Sequence, residues 1–532
     1  HTNTHKRMGL LSNVYDLVVY SLFAITHAHV ASLVQENLPK EKVVDEIFHI
    51  TQTQVFCDIV SESSGLTWTS MIGSMYNSYD GKITTPPGPY LLAQFYSQYI
   101  LQDLTCSIES IRSVNIIFNL GTVIVLNEML KLLEKKEDIG KRIHYTRLLI
   151  LILLPVHFFF GFLFYTDAGS TFFILLSYLF ALKIDFQNIF KSMIYLYLCS
   201  MIGFISLWFR QTNIIWYGFI VGTIILRFFK SNNKNNVKDD TRSSSNSSFS
   251  TDDVGSTKIC IQFFNQLFQY IFNDCIQSKA KWFYGIISII PIASVLYSFI
   301  AFLKWNNYQI VLGDQNHHQP VSHIPQLFYF IAFTMLPTFH LSLFLKKRIG
   351  PGDALMYSLN VNNFNWIIDR KYLLRNLISL LFVSISVYKF TMIHPFTLAD
   401  NRHYMFYAWN KVLKYRLVQL SLIPIYFIIG GIFITRLLRQ RGLLWLCGYV
   451  ICTSLVLIPA HLIEFRYYTI PTFFATIHLL LDKKDESIEN ENQIWYMKWT
   501  VLCFVIGNTL LLYVFLYRTF IYADGSIGRF MF

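Results

Sequence analysis

Long apolar runs limit what this chain can become more than any single motif does. A helix needs about 20 mostly apolar residues to cross a bilayer. Runs of that kind recur at 12–33, 113–132, 147–165, 170–185, 191–209, 213–229, 283–303, 326–345, 375–393, 417–436, 443–461, 467–481 and 498–517. Backbone polar groups must pair internally in lipid, so these runs predict an all-α polytopic membrane protein with about 13 spans, within a range of 12–14. Composition agrees. The chain is 53% hydrophobic, 17% aromatic and 14% charged, against roughly 25% charged in soluble domains. The stretch 258–276, "KICIQFFNQLFQYIFNDCI", is either an interfacial amphipathic helix or part of a span. No internal repeat of the transporter kind is visible. No cleavable signal peptide is evident, and residues 1–11 are expected to be a cytosolic segment ahead of the first span.

The formal charge of +12 raises the possibility of a nucleic-acid partner. Its distribution excludes one. The basic residues gather in short loops between apolar runs, as in "KLLEKKEDIGKRIHYTR" (131–147), "KKR" (346–348), "DRKYLLR" (369–375) and "RLLRQR" (436–441). That is the pattern of cytosolic loops. The polar, Ser/Asn-rich segment 230–258 is expected to be a disordered cytosolic loop. It divides an N-terminal transmembrane module, 12–229, from a C-terminal one, 259–532. Cysteines at 57, 106, 199, 260, 275, 447, 452 and 503 show no zinc or redox spacing and are read as small buried hydrophobes.

With the basic loops on the cytosolic side, seven other loops share the opposite face: "DEIFHITQ", "ITTPPGPY", "YTDAGS", "FRQTN", "GDQNHHQP", "HPFTLADNRHY" and "EFRYYTIP". Together they look like the wall of one site. The first of these loops is long, 34–110, and opens with Asp45, Glu46 and His49. A carboxylate beside apolar surface has a raised pKa and serves as a general base near neutrality. The same two acids would equally suit the first turn of a helix. Pro86 and Pro87 exclude a regular helix around "YDGKITTPPGPY" and set a rigid turn. Arg402 and His403, with Arg466, suit a lipid phosphate through the planar donor fork of Arg. They could instead snorkel, or pair with Asp400 and Glu464. Arg210 and Gln211, at a helix–loop–helix junction, either bind sugar hydroxyls or cap two helices. In "GDQNHHQPVSH" the adjacent His317 and His318 point different ways on most backbones, so a solvated loop is expected there rather than a metal site.

The set "DEIFHITQ", "KITTPPGPY", "FRQTNIIW", "HPFTLADNRHY" and "EFRYYTIP", in that order, resembles the eukaryotic dolichyl-phosphate-glucose-dependent α-1,2-glucosyltransferases of the endoplasmic reticulum. The likeness runs from about residue 12 to about residue 480, and "HPFTLADNRHY" is its most specific part. The family pattern at the diproline is Trp-Asp-Pro-Lys-Ile-Thr-Thr-Pro-Pro-Gly. Here Tyr79 stands for the Trp and Gly81 for the first Pro, while Asp80 and Lys82 remain. The resemblance implies a GT-C fold, a multi-pass endoplasmic-reticulum enzyme with a lumenal active site and the long first loop inside the lumen. It implies dolichyl β-D-glucosyl phosphate as donor, the diglucosylated dolichyl-diphosphate oligosaccharide as acceptor, and inversion at the anomeric carbon. On that basis Asp45 is the expected general base and Glu46 the second candidate. Asp80, His49 and Lys82 are expected to position the acceptor. His394, Asp400, Arg402, His403, Arg466, Arg210 and Gln211 are expected on the donor side. No metal or other cofactor is expected, because the leaving group is a single lipid phosphate. Two other classes fit a polytopic chain. A transporter would place charges inside its spans and show repeats. A channel-regulating membrane partner would need no acid facing a phosphate clamp.

Overall fold

The computed structural model describes residues 2–62, 68–134, 141–239, 279–335, 373–481, 490–523 and 525–532. Most of the expected loop 230–258, the ambiguous stretch 258–276 and the basic runs at 346–348 and 369–372 lie outside the described residues. Helix Asn213–Asp239 extends ten residues into that expected loop.

Among the described residues, seven helical stretches are long and apolar enough to cross a membrane: Val14–Asn37, Ile108–Glu134, Ile189–Phe209, Ile287–Trp305, Leu373–Phe390, Arg416–Arg441 and Ile494–Tyr517. Three shorter apolar helices accompany them, Asn213–Phe229, Gln326–Met335 and Leu443–Leu457. The chain is therefore a mostly helical, multi-pass membrane protein. The expected span 147–165 is not one helix. Pro155 lacks the N–H that would continue the ladder, Leu154 turns extended, and the run splits into Lys141–Ile152 and Pro155–Phe160. The expected span 467–481 is a buried helix of 12 residues, Thr469–Leu480.

A dense aromatic core sets the site. Helices Thr166–Lys183, Asn213–Asp239, Leu443–Leu457 and Thr469–Leu480 pack on one another. Trp216 stacks on Phe474 at 5.4 Å between ring centroids, and Trp445 on Tyr449 at 5.5 Å. The first pair joins helix Asn213–Asp239 to Thr469–Leu480 and holds them at a fixed separation, whereas the second lies along one face of Leu443–Leu457; both bury large apolar area. Asp167, Arg210, Gln211 and Arg466 sit at or just before the starts of three of these helices. Packing the helices therefore brings the charged residues together.

The first loop is itself folded. It carries helices Glu46–Glu62, Trp68–Asn77 and Gly88–Phe95, the last starting directly after the diproline. Cys57 and Cys106 form a disulfide that ties the first of these to the base of the long helix Ile108–Glu134. The expectation of eight unbridged cysteines is thus corrected. The two partners are separated by 49 residues, a spacing that carries no local signal.

Candidate active site

The tight turn before helix Glu46–Glu62 separates the two adjacent acids. Val44 has φ +50°, a left-handed conformation that is costly for a β-branched residue. Glu46 then points into the protein and is 0% exposed. Its carboxylate accepts from Arg112 Nε at 2.9 Å and Nη2 at 2.6 Å, from the Phe164 amide at 2.7 Å and from the Val43 amide at 3.0 Å. Arg112 also donates to the Leu38 and Glu41 carbonyls. One buried bidentate pair thus fastens the start of the first loop to helix Ile108–Glu134 and to the segment leading into Asp167.

Asp45 faces the other way, with its side chain 36% exposed. It accepts from Arg466 Nη2 at 2.9 Å. Arg466, its side chain 9% exposed, also contacts Glu464 and lies 3.7 Å from Asp167. Asp167 is 3.3 Å from Arg210. The guanidinium of Arg466 lies over the Tyr165 ring at 4.8 Å, and that of Arg210 over Tyr467 at 5.4 Å. Burial alone would raise the Asp45 pKa, but Arg466, with help from His49 and His403, holds it below the usual carboxylate range. This reverses the sequence expectation of a raised pKa, because the cation responsible comes from the far end of the chain. His49, one helical turn beyond Asp45, is held neutral: burial pushes its imidazole down to about 4, and its Nδ1 pairs with the Tyr90 hydroxyl at 2.7 Å.

The other expected site residues fall into three groups. Asp80 makes a tight turn, accepting from the Lys82 amide at 2.9 Å, while its own amide donates to Gln52 Oε1 at 2.8 Å. Lys82 is exposed, 5.9 Å above the Phe48 ring. In place of the family's Trp, Tyr79 sends its hydroxyl to the Thr85 carbonyl at 2.5 Å. Gln211 binds no open space. Its amide donates to the Thr84 carbonyl at 2.8 Å and the Ile310 carbonyl at 2.9 Å, stitching the diproline loop to the loop after Trp305. Gly313 fits there because any Cβ would strike the Gly81 carbonyl at 2.3 Å.

Asp400 and Arg402 form a two-bonded pair at 2.8 and 2.7 Å, with His403 Nε2 3.5 Å from the same carboxylate. His394 caps its own short helix, accepting from the Phe396 amide at 3.0 Å, and stands 3.3 Å from the His317 carbonyl. His317 and His318 both turn onto Asp314. Among the described residues no group of His, Cys, Asp and Glu has a geometry suited to a metal ion. The structure thus gathers Asp45, His49, Arg210 and Arg466 into one cluster with Asp167, and His403 lies close enough to act on Asp45 electrostatically. Gln211, Asp80 and His394 shape the loops. Sequence reasoning missed Asp167 and gave Glu464 only a pairing role, although both stand inside the motif loops already singled out.

The class these features define is a multi-pass helical membrane protein in which an acid, Asp45, is gathered with Asp167 and two arginines. The family model described as the DIE2/ALG10 family matches residues 39–477, and the chain belongs to that family. Among its relatives, the rat protein named Dol-P-Glc:Glc(2)Man(9)GlcNAc(2)-PP-Dol alpha-1,2-glucosyltransferase is 28% identical over 92% of this chain and 93% of its own length. Proteins of the same name from Arabidopsis thaliana and Candida albicans are 28% and 29% identical, over 94% and 89% of this chain and 96% and 91% of their own lengths.

Proposed function

We propose that this chain is an inverting α-1,2-glucosyltransferase that moves glucose from dolichyl β-D-glucosyl phosphate to the diglucosylated Man9GlcNAc2-diphosphodolichol acceptor. The relatives' shared name supports the donor and the acceptor. The observation that carries the residue assignment is the Asp45–Arg466 contact beside Asp167 and Arg210. The acceptor 2-hydroxyl oxygen attacks the anomeric carbon. The bond from that carbon to the phosphate oxygen breaks, dolichyl phosphate leaves, and the hydroxyl proton passes to Asp45.

In the resting arrangement Arg466 neutralises Asp45. A donor phosphate is a competing partner for the same guanidinium. As Arg466 turns to the phosphate, Asp45 loses its cation and gains basicity at the moment the acceptor needs a base. Glu46 has all its acceptor capacity taken by Arg112 and two amides, which favours Asp45 for the role. Arg210 and Arg402, with His403, complete the cationic surface for the phosphate.

The same reading gives a GT-C fold of about 13 spans, of which the seven long and three shorter apolar helices among the described residues account for ten. It puts the site on the lumenal side of the endoplasmic reticulum. The Cys57–Cys106 disulfide, on the same loop as Asp45, suits an oxidising compartment. The test is transfer by purified protein from a dolichyl-phosphate-glucose analogue to a diglucosylated acceptor, with the linkage of the product determined. No transfer, or a linkage other than α-1,2, overturns the reading.

A further inference from the structure

Residues 519–532 lie past the end of the family match and carry no motif. Strand Thr519–Ile521 pairs antiparallel with Ile527–Arg529, with Phe520 opposite Gly528. Gly525 turns the hairpin with φ +82°, and Gly528 leaves room for the Phe520 ring, which a Cβ would meet at 2.4 Å. The last residues then run beside the "NRHY" loop. The Met531 amide donates to the Arg402 carbonyl at 2.9 Å, and the Tyr404 amide donates to the Met531 carbonyl at 2.9 Å. His403 Nδ1 donates to the Phe532 oxygen, and its Nε2 lies 3.5 Å from the Asp400 carboxylate. The Tyr522 hydroxyl reaches Asn401 Oδ1 at 2.7 Å.

The same hairpin grips the base-bearing loop. Arg529, 6% exposed, meets both oxygens of Glu41 at 3.0 Å and also donates to the Asn37, Phe515 and Leu516 carbonyls. Glu41 lies four residues before Asp45, and its carbonyl is one of those held by Arg112. The Phe532 ring packs against Phe465 at 5.9 Å, beside Arg466.

We propose that this C-terminal hairpin is a positioning element of the transferase site. It sets the register of Arg402, fixes the His403 ring, and anchors both to the loop that presents Asp45. This inference rests on the transferase reading above. Residues of the hairpin touch neither substrate. They act through Arg402 and His403, so their loss should fall on the donor side.

Steady-state kinetics of the full chain test this, with donor and acceptor varied separately. Met531→Pro removes the N–H that pairs with Arg402, and Arg529→Ala removes the Glu41 latch. Each is expected to raise the donor KM about tenfold or more while the acceptor KM stays near wild type. Arg529→Lys, which keeps the charge opposite Glu41, should recover part of that loss. If Arg529→Ala fails to fold, Tyr522→Phe, which deletes one hydroxyl, should still raise the donor KM selectively. Unchanged donor KM in every folded variant overturns the inference. So does an equal rise in both KM values without recovery in Arg529→Lys. Absence of transfer by the wild-type protein overturns the activity reading instead, whereas wild-type transfer with indifferent variants removes only the hairpin's role.

Discussion

Glu46 meets Arg112 through two bonds, with the side chains 0% and 4% exposed, whereas Asp45 meets Arg466 through one bond of 2.9 Å with its carboxylate 36% open. The first pair has every lone pair occupied and nothing further to exchange. The second is flanked by Asp167, Glu464 and Arg210, so its cation has alternative partners. A carboxylate with a saturated, buried partner serves the fold. One with a contested partner and a partly exposed side chain can gain and lose a proton. Position in the sequence, one residue apart, tells nothing of this.

The contrast breaks first at Asp45. Asp45→Asn should lower turnover by about 10²- to 10⁴-fold, the contribution of a positioned general base, while donor affinity is retained or raised because Arg466 loses a competing carboxylate. Near-normal turnover in the purified variant would remove Asp45 from the mechanism. Glu46→Gln should do the opposite. It leaves Arg112 without its charge partner in a dry setting, at a cost of about 3–5 kcal/mol, visible as a lowered melting temperature. The folded fraction should keep more turnover than Asp45→Asn. If Glu46→Gln instead melts normally and is inactive, the two roles are exchanged.

Smaller effects sharpen the comparison. Replacing Cys57 and Cys106 together by Ser should cost about 2–4 kcal/mol, with turnover falling only as the folded fraction falls, measured by parallel melting and kinetics. The pH profile separates the open pair from an ordinary carboxylate. Asp45 is lowered in the folded chain, so its contribution to stability is complete above the usual carboxylate pKa and is lost as pH falls through the depressed value. The free-enzyme rate profile should therefore be flat with respect to Asp45 from neutrality down to that range. Arg466→Gln should move its acid limb upward, and an unmoved limb would show that Arg466 does not set the Asp45 pKa. Least of all should change with chelation. Asp45, Asp167 and Glu464 are countered by two guanidiniums, so excess EDTA is expected to leave the rate unaltered. Loss in EDTA with recovery in magnesium or manganese would reassign those carboxylates to a cation.

The helical membrane class and the convergence of motif loops were legible because apolar run length and loop composition are local properties. The choice between Asp45 and Glu46 was not. Their arginine partners lie 421 and 66 residues away, and no periodicity reports such distances. Gln211 was open between sugar binding and capping, and its two carbonyl partners make it a loop tie. The Cys57–Cys106 bond was misread for the same reason as the acids, since only the folded first loop brings the two sulfurs together. The terminal hairpin offered no signal, because two of its bonds to 402–404 are made between main-chain groups, which any sequence possesses, and the His403 ring reaches it only through a main-chain oxygen.

The 421 residues between Asp45 and Arg466 also order the birth of the site. A ribosome delivers the acid 421 residues ahead of its counter-charge, so through that stretch of synthesis Asp45 waits without its cation. The disulfide and the Glu46–Arg112 web, both closed within the first 112 residues, can hold the loop in shape during that wait. Chains that terminate before "EFRYY" would therefore present a well-formed loop with an unchecked acid and no competence for transfer.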